Sequence, residues 1–236
     1  MLRRRSMLGS APETGGGNDA NCITLLHFDN NVTNASSVSQ TWTNSSYAPY
    51  SSTIKKFGTH SIYDQYGVSD SDPDPAGDVR NSTGIFYSYL TGDWTIDFWF
   101  RTPSSNSSYS SGLCAIQAHT GGWPYFGVNV ASSGANAGIS IIHATTTSAT
   151  DFNQTYSATI PTDTWHHLAI VKKDGLLTIY LNGTSIASGI SWTYTPNSLW
   201  KNNRVGSYNF GYIDEFRFSN IARWTSNFTP PTAPYA

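Results

Sequence analysis

Three groups of residues in this chain have the types and spacing for chemistry. Glycoside hydrolysis needs two carboxyl groups facing one glycosidic bond about 5–9 Å apart, which on a strand means acids at i and i+2 or on neighbouring strands. Asp214 and Glu215 are adjacent in sequence and so point to opposite faces of any regular strand, and Asp97 stands alone between aromatic residues. No Ser-His-Asp order or Cys-His pair is recognisable, and His166 and His167 fall within a strand-like run. The expectation is a protein without catalysis.

The second group is acidic. Asp70, Asp72, Asp74 and Asp78 resemble the opening of a calcium loop, which needs several hard oxygens converging on one ion. Pro73 and Pro75 distort that loop and its twelfth position is Asn81 rather than Glu, so a solvated acidic loop is expected. Cys22 and Cys114 lack the CxxC spacing of a zinc or redox site and are expected as free, packed thiols rather than a disulfide. No cofactor is assigned.

The third group is aromatic. Carbohydrate rings stack on aromatic faces while amides and hydroxyls hold their edges. The segments HTGGWPY, His119 to Tyr125, and SWTYTPNSLW, Ser191 to Trp200, offer Trp123, Tyr125, Trp192 and Tyr194 as glycan-binding candidates. The competing reading has these rings, with Trp200, covering the ends of the fold or meeting another subunit.

The elements that must position these residues are strands. Asp163 to Gly183 reads DTWHHLAIVKKDGLLTIYLNG, two strand-like runs around Asp174-Gly175 and a second turn at Asn182-Gly183. Leu177, Ile179 and Leu181 alternate with Thr178 and Tyr180, and Trp165 to Val171, apolar on both faces, should be a buried central strand. Further strands are expected at Cys22–Phe28, Phe57–Tyr63, Gly84–Leu90, Trp94–Arg101, Leu113–Ala118, Tyr125–Val130, Gly138–His143 and Gly211–Phe218. In the last, Tyr212, Asp214, Phe216 and Phe218 should share one face and Ile213, Glu215 and Arg217 the other. No helical stripe of useful length is present. The pattern predicts an all-β fold, a two-sheet antiparallel β-sandwich of jelly-roll type in residues 21–236, preceded by an extended N-terminal arm, residues 1–20.

Of 236 residues 12% are charged and 14% aromatic, and the net charge is −2, which leaves no electrostatic footprint for nucleic acid. No run approaches the roughly 20 apolar residues of a membrane span, and Ser6 to Ser10 interrupts any signal-like segment. The arm has no periodicity; Arg3, Arg4 and Arg5 would pair with acidic groups of a partner, and Gly15, Gly16 and Gly17 would act as a hinge.

WHHLAIV from Trp165, LTIYLNG from Leu177 and GYIDEFRF from Gly211 together resemble the concanavalin A-like, laminin-G-type jelly roll. LLHFD from Leu25, Lys56-Phe57-Gly58 and the closing ARWTSNFTPP from Ala222 resemble the version of that domain found in bacteriophage virion proteins, and the resemblance spans roughly residues 22 to 235. It implies pairing of the first and last strands, which would bring Asp29 towards Asp214, where some relatives bind structural calcium; hydrogen bonding to turn amides explains both acids equally well.

Two functional expectations follow. The first is a non-catalytic virion structural protein, a capsid decoration or tail-associated subunit at the virion surface, anchored to capsid or tail subunits through its arm and part of a homo-oligomer or larger assembly. The alternative is a carbohydrate-binding adhesin module that recognises host-surface glycans.

Overall fold

The computed structural model describes residues 17–45, 48–64, 79–81, 83–104, 110–118, 125–131, 137–144, 151–194, 200–207 and 211–236, with the backbone alone described at 64, 110–118, 125, 131, 200–202 and 207. Among the described residues the chain forms two antiparallel sheets.

Sheet one runs β13 (Thr184–Ser191), β12 (Leu176–Leu181), β11 (His166–Lys173), β6 (Trp94–Arg101), β15 (Gly211–Ser219), β4 (Ser61–Asp64) and β3 (Tyr50–Ser51). Its eighth strand, β1 (Cys22–Leu26), pairs with the second half of β15, Cys22 opposite Ser219 and Leu26 opposite Phe216. Sheet two runs β10 (Phe152–Ser157), β9 (Gly138–His143), β8 (Tyr125–Ala131), β7 (Ser110–Ala118), β14 (Trp200–Ser207), β5 (Val79–Asn81) and β2 (Thr43–Asn44).

The hairpin signals act as expected. Asp174 and Gly175 have φ of 51° and 77°, as do Asn182 and Gly183. Two left-handed residues give a turn whose twist matches that of its flanking strands, so Lys173 pairs with Leu176 and Leu181 with Thr184. Strand β11 is buried along its length between β12 and β6, as its two apolar faces require.

Alternating residues of the two sheets meet in the core. Ile96, Phe98 and Phe100 of β6, Leu168 and Ile170 of β11, and Phe216 and Phe218 of β15 face Phe126, Val128 and Val130 of β8 and Ile139 and Ile141 of β9.

Three sequence expectations need correction. Gly84–Leu90 is not a strand: Phe86–Tyr89 form a 3-10 turn, closed by Leu90 N–H donating to Phe86 O at 3.1 Å, and Phe86 packs 4.5 Å from Phe218 between ring centroids. Phe57–Tyr63 is strand only from Ser61 onward; the preceding loop lies on the outer face of sheet one, with Phe57 edge-on to Trp99 at 5.9 Å and the Lys56 ammonium 3.9 Å above the Trp99 ring.

The third concerns β15. Its pairing with β6 steps from Asp214 opposite Trp99 to Arg217 opposite Asp97, and Glu215 has a φ of 52°. Glu215 is therefore the extra residue of a β-bulge, and it reverses the alternation beyond it. Ile213 shares the core with Phe216 and Phe218, whereas Asp214 and Arg217 fall on the outer face.

That outer face has a cover. In the C-terminal segment, residues 220–236, Trp224 packs on Ala169, Val171 and Tyr180 and stacks on Phe228 at 4.0 Å. Gly17 to Ala20, expected in the arm, are fastened to the body: Asp19 accepts two bonds from Arg223 at 2.9 Å each, and Asn18 N–H donates to Ala236 O at 2.7 Å. Arg3, Arg4, Arg5, Gly15 and Gly16 lie outside the described residues.

Candidate functional site

Asp97 does not stand alone. Arg217 grips it with Nε to Oδ1 at 3.0 Å and a second nitrogen to Oδ2 at 3.1 Å, while the Tyr235 hydroxyl donates to Oδ2 and His167 Nε2 lies 3.5 Å away. Burial alone would raise its pKa, but the Arg217 charge and the His167 bond hold it down at about 2. With Asp97 and Arg217 both fully buried, this network is closed to any substrate. Its members, on three strands and the C-terminal segment, lie up to 138 residues apart in sequence, which is why no local motif announces it.

Asp214 and Asp29 serve one loop from two sides. Asp214 Oδ2 accepts the Lys56 and Phe57 amides at 2.8 and 3.1 Å, and Asp29 Oδ1 accepts the amides of Thr59 and His60 and the Thr59 hydroxyl. Turn amides thus take up one oxygen of each acid, while Asp214 Oδ1 is buried without a hydrogen-bond partner among the described residues. Burial pushes Asp214 up to about 7 against the pull of those amides. Glu215, redirected by the bulge, takes His27 Nδ1 at 2.8 Å and the Tyr235 amide at 3.0 Å. Among the described residues no group of three or more His, Cys, Asp or Glu is arranged to hold a metal. Asp70, Asp72, Asp74 and Asp78 lie outside those residues. Cys22 is a free, buried thiol pushed up to about 11 by desolvation, and the Cys114 side chain is not among those described.

The described members of the aromatic group, Trp192 and Tyr194, lie at one end of sheet two. The register sets Trp200 opposite Ala118, Gln117 opposite Tyr125, and Phe126 and Phe152 both opposite His143. Three of the strand ends that flank the two aromatic segments picked from the sequence, those of β7, β8 and β14, therefore share one rim.

Here Trp192 and Tyr194, which follow β13, cross to sheet two. Trp192 is 6% exposed, with Phe126, His143 and Phe152 each edge-on at 5.5 Å between centroids; it belongs to the core and is spent there rather than offered to a ligand. Tyr194 is half-buried and stacks on the His143 imidazole at 4.1 Å and 25°, with its hydroxyl donating to Asp151 O at 3.3 Å. His143 is lowered by burial, against the opposing Asp151 carboxylate 3.5 Å from its Nδ1, so a neutral ring backs the phenol. Trp123 lies outside the described residues and Tyr125 is described by its backbone alone. Sequence reasoning missed His143, Asp151 and Phe152; the signal was their place on either side of the connection between β9 and β10.

Residues 78–226 match the profile of the Concanavalin A-like lectin/glucanases superfamily. The chain belongs to this family. Among curated proteins it is similar to Adhesion G-protein coupled receptor V1 of Danio rerio, 26% identical over 120 residues that make up 50% of this chain and 2% of the receptor. Among solved structures it is similar to the receptor binding domain of botulinum neurotoxin C/D mosaic serotype, with a TM-score of 0.61 at 13% identity, covering 88% of this chain and 49% of that one. It is also similar to Domain 4 of AbnA, an extracellular arabinanase of Geobacillus stearothermophilus in complex with arabinotriose, with a TM-score of 0.60 at 17% identity, covering 86% of this chain and 93% of that domain. At these identities the structural similarity is one of fold. The chain spans about half of the toxin domain and a small fraction of the receptor.

Proposed function

We propose that this chain is a non-catalytic carbohydrate-recognition module whose partners are glycans, those of cell surfaces included. The observation that carries this reading is the fixed phenol at the rim of sheet two. Tyr194 is backed by His143, flanked edge-on by Trp192 at 4.9 Å and by Phe152 at 6.1 Å, and tied through its hydroxyl to Asp151. A ring already immobilised loses little freedom when a sugar settles on it, which is how an aromatic contact becomes net affinity. Family membership supports the reading, as does the similarity to a domain whose structure is in complex with arabinotriose. These similarities favour glycan recognition over the virion structural role, for which they offer nothing.

Affinity electrophoresis through gels containing arabinan, and then a panel of other polysaccharides, tests it. Retardation by at least one polysaccharide, reduced in Tyr194→Ala, is expected; free migration of the wild-type protein through every gel would overturn the proposal.

A further inference from the structure

The outer face of sheet one is built in rows that run across its strands, and the rows differ in their cover. In the first, Thr95 lies under Ile221 and Arg223, bonded to both at 2.7 and 2.9 Å. In the second, Asp97 lies under Tyr235. In the third, Trp99 lies under Lys56 and Phe57. Thr95, Asp97 and Trp99 are all buried.

The fourth row is half-buried in every member. It consists of Tyr63 on β4, Tyr212 on β15, Arg101 on β6 and Trp165, which immediately precedes β11. Tyr63 pairs with Tyr212 and Tyr212 with Arg101 in the strand register. The two phenols stack at 4.6 Å and 22°, the Arg101 guanidinium lies 5.6 Å from the Tyr212 ring, and Trp165 meets Tyr212 edge-on at 6.5 Å. Gly211 sits beside the row because a Cβ there would come within 2.7 Å of Arg101 O.

The electrostatics of the row restrict what it can take. Arg101 is neutralised by Asp163 at 2.9 Å, so the row carries no unbalanced charge to select an anion or a cation. Asp163 is held at a φ of 58° by its amide bond to Thr102 O at 2.8 Å and by the Ser104 amide on Oδ2 at 3.3 Å. Its side chain is 44% exposed, leaving carboxylate surface free to accept hydroxyl protons.

We propose that the row Tyr63, Tyr212, Arg101 and Trp165, with Asp163 at its flank, is a second saccharide-binding surface that takes an uncharged oligosaccharide laid across the strands. Tyr63 and Trp165 toward the two ends supply apolar C–H contact, Tyr212 between Tyr63 and Arg101 holds the row together, two phenol hydroxyls and the Asp163 carboxylate supply the polar edges, and four neighbouring strand positions give a run of roughly 14 Å, longer than one sugar ring. The inference rests on the carbohydrate reading above but uses the opposite sheet, so the two can fail separately.

Tyr63→Ala and Trp165→Ala, at the two ends of the row, and Asp163→Asn are compared with the wild-type protein and with Tyr194→Ala on the same neutral polysaccharides, with thermal unfolding as the check on folding. Each row variant is expected to weaken binding about three- to tenfold, the scale of one lost aromatic contact, while melting as a folded protein. Folded row variants that bind like the wild type, while Tyr194→Ala does not, overturn the second surface and leave the first. A wild-type protein that binds no polysaccharide overturns both. If Trp165→Ala instead dissociates an oligomer in sedimentation, with sugar affinity unchanged, the row is an interface between copies and the inference is overturned.

Discussion

The hydroxyl of Tyr235 donates a hydrogen bond to the carboxylate of Asp97, 138 residues away in sequence, and so pins the C-terminal segment to the middle of the sheet that it covers. The ring of the same tyrosine lies 3.8 Å from the Arg217 guanidinium, so one side chain satisfies both members of a buried ion pair. Asp97→Asn should cost about 3–5 kcal/mol because it leaves Arg217 charged and buried without its counter-ion. Tyr235→Phe keeps the ring and loses the hydroxyl, for about 1–3 kcal/mol. Urea unfolding of the two variants checks the order; equal losses would mean that the ion pair contributes nothing beyond the tyrosine bond.

Stability should also respond to pH through Asp214. Its pKa is pushed from 3.8 to about 7, so between those values the folded chain retains a proton that the unfolded chain gives up. That contribution is complete below pH 3.8 and is lost as the pH rises through about 7. His27, raised by its Glu215 bond, runs in the same direction. His143, His166 and His167, all lowered by burial, run in the other, losing stability as the medium becomes acidic. Asp214→Asn keeps an acceptor for the Lys56 and Phe57 amides and removes the titration. The unfolding free energy at pH 5 minus that at pH 8 should therefore be algebraically lower in the variant than in the wild type, shifted toward the sign set by the histidines; an unchanged difference would exclude Asp214 as a source.

Two glycines with the same backbone angle should respond differently to the same substitution. Gly175 and Gly183 both have a φ of 77°, but a Cβ at Gly175 meets nothing within 4 Å whereas one at Gly183 would come 1.9 Å from Phe228 O. Gly175→Ala should cost only the left-handed strain, about 1–2 kcal/mol. Gly183→Ala must also push away the C-terminal segment, whose Phe228 amide donates to Gly183 O at 2.9 Å. Thermal melts should rank Gly183→Ala clearly below Gly175→Ala.

At the rim of sheet two, adjacent aromatics should separate folding from binding. Trp192→Ala empties a core position and is expected to cost about 3–5 kcal/mol. Tyr194→Ala, at a half-buried position, should stay within about 1 kcal/mol of the wild type while changing retardation in polysaccharide gels. Denaturant midpoints for both variants check the first half of this statement.

The parts of the fold legible in the sequence were those carried by local patterns. Asp174-Gly175 and Asn182-Gly183 fixed two turns because few dipeptides tolerate two consecutive left-handed residues, and the alternation in Leu177–Leu181 fixed a face. Strand β13, TSIASGIS, and strand β14, WKNNRVGS, escaped notice because their residues are small or polar and their pairing is set by neighbours. The faces of β15 were misread because Glu215 carries a left-handed bulge where no glycine marks one. At the candidate site, the aromatic segments were legible as composition, but burial decided between them: Trp192 reaches Phe126 in the core and is 6% exposed, whereas Tyr194 packs at the edge on His143 and Phe152 and stays half-buried. The fourth row of sheet one was illegible for the same reason, since Tyr63, Arg101, Trp165 and Tyr212 become neighbours only through pairing across four strands.

Pairing of Cys22 with Ser219 in antiparallel strands, together with the bond between Asn18 and Ala236, has a mechanical consequence. A tether pulled at residues 18 and 236 would load β1 and β15 from the same end, so their ladder would open like a zipper, one rung at a time, instead of resisting in shear. The tail would peel first, releasing Tyr235 from Asp97 and then Phe228 and Trp224 from their seats, before tension reached the sandwich. In this geometry tension is met by the ends of the chain, one rung at a time, before it reaches the sandwich.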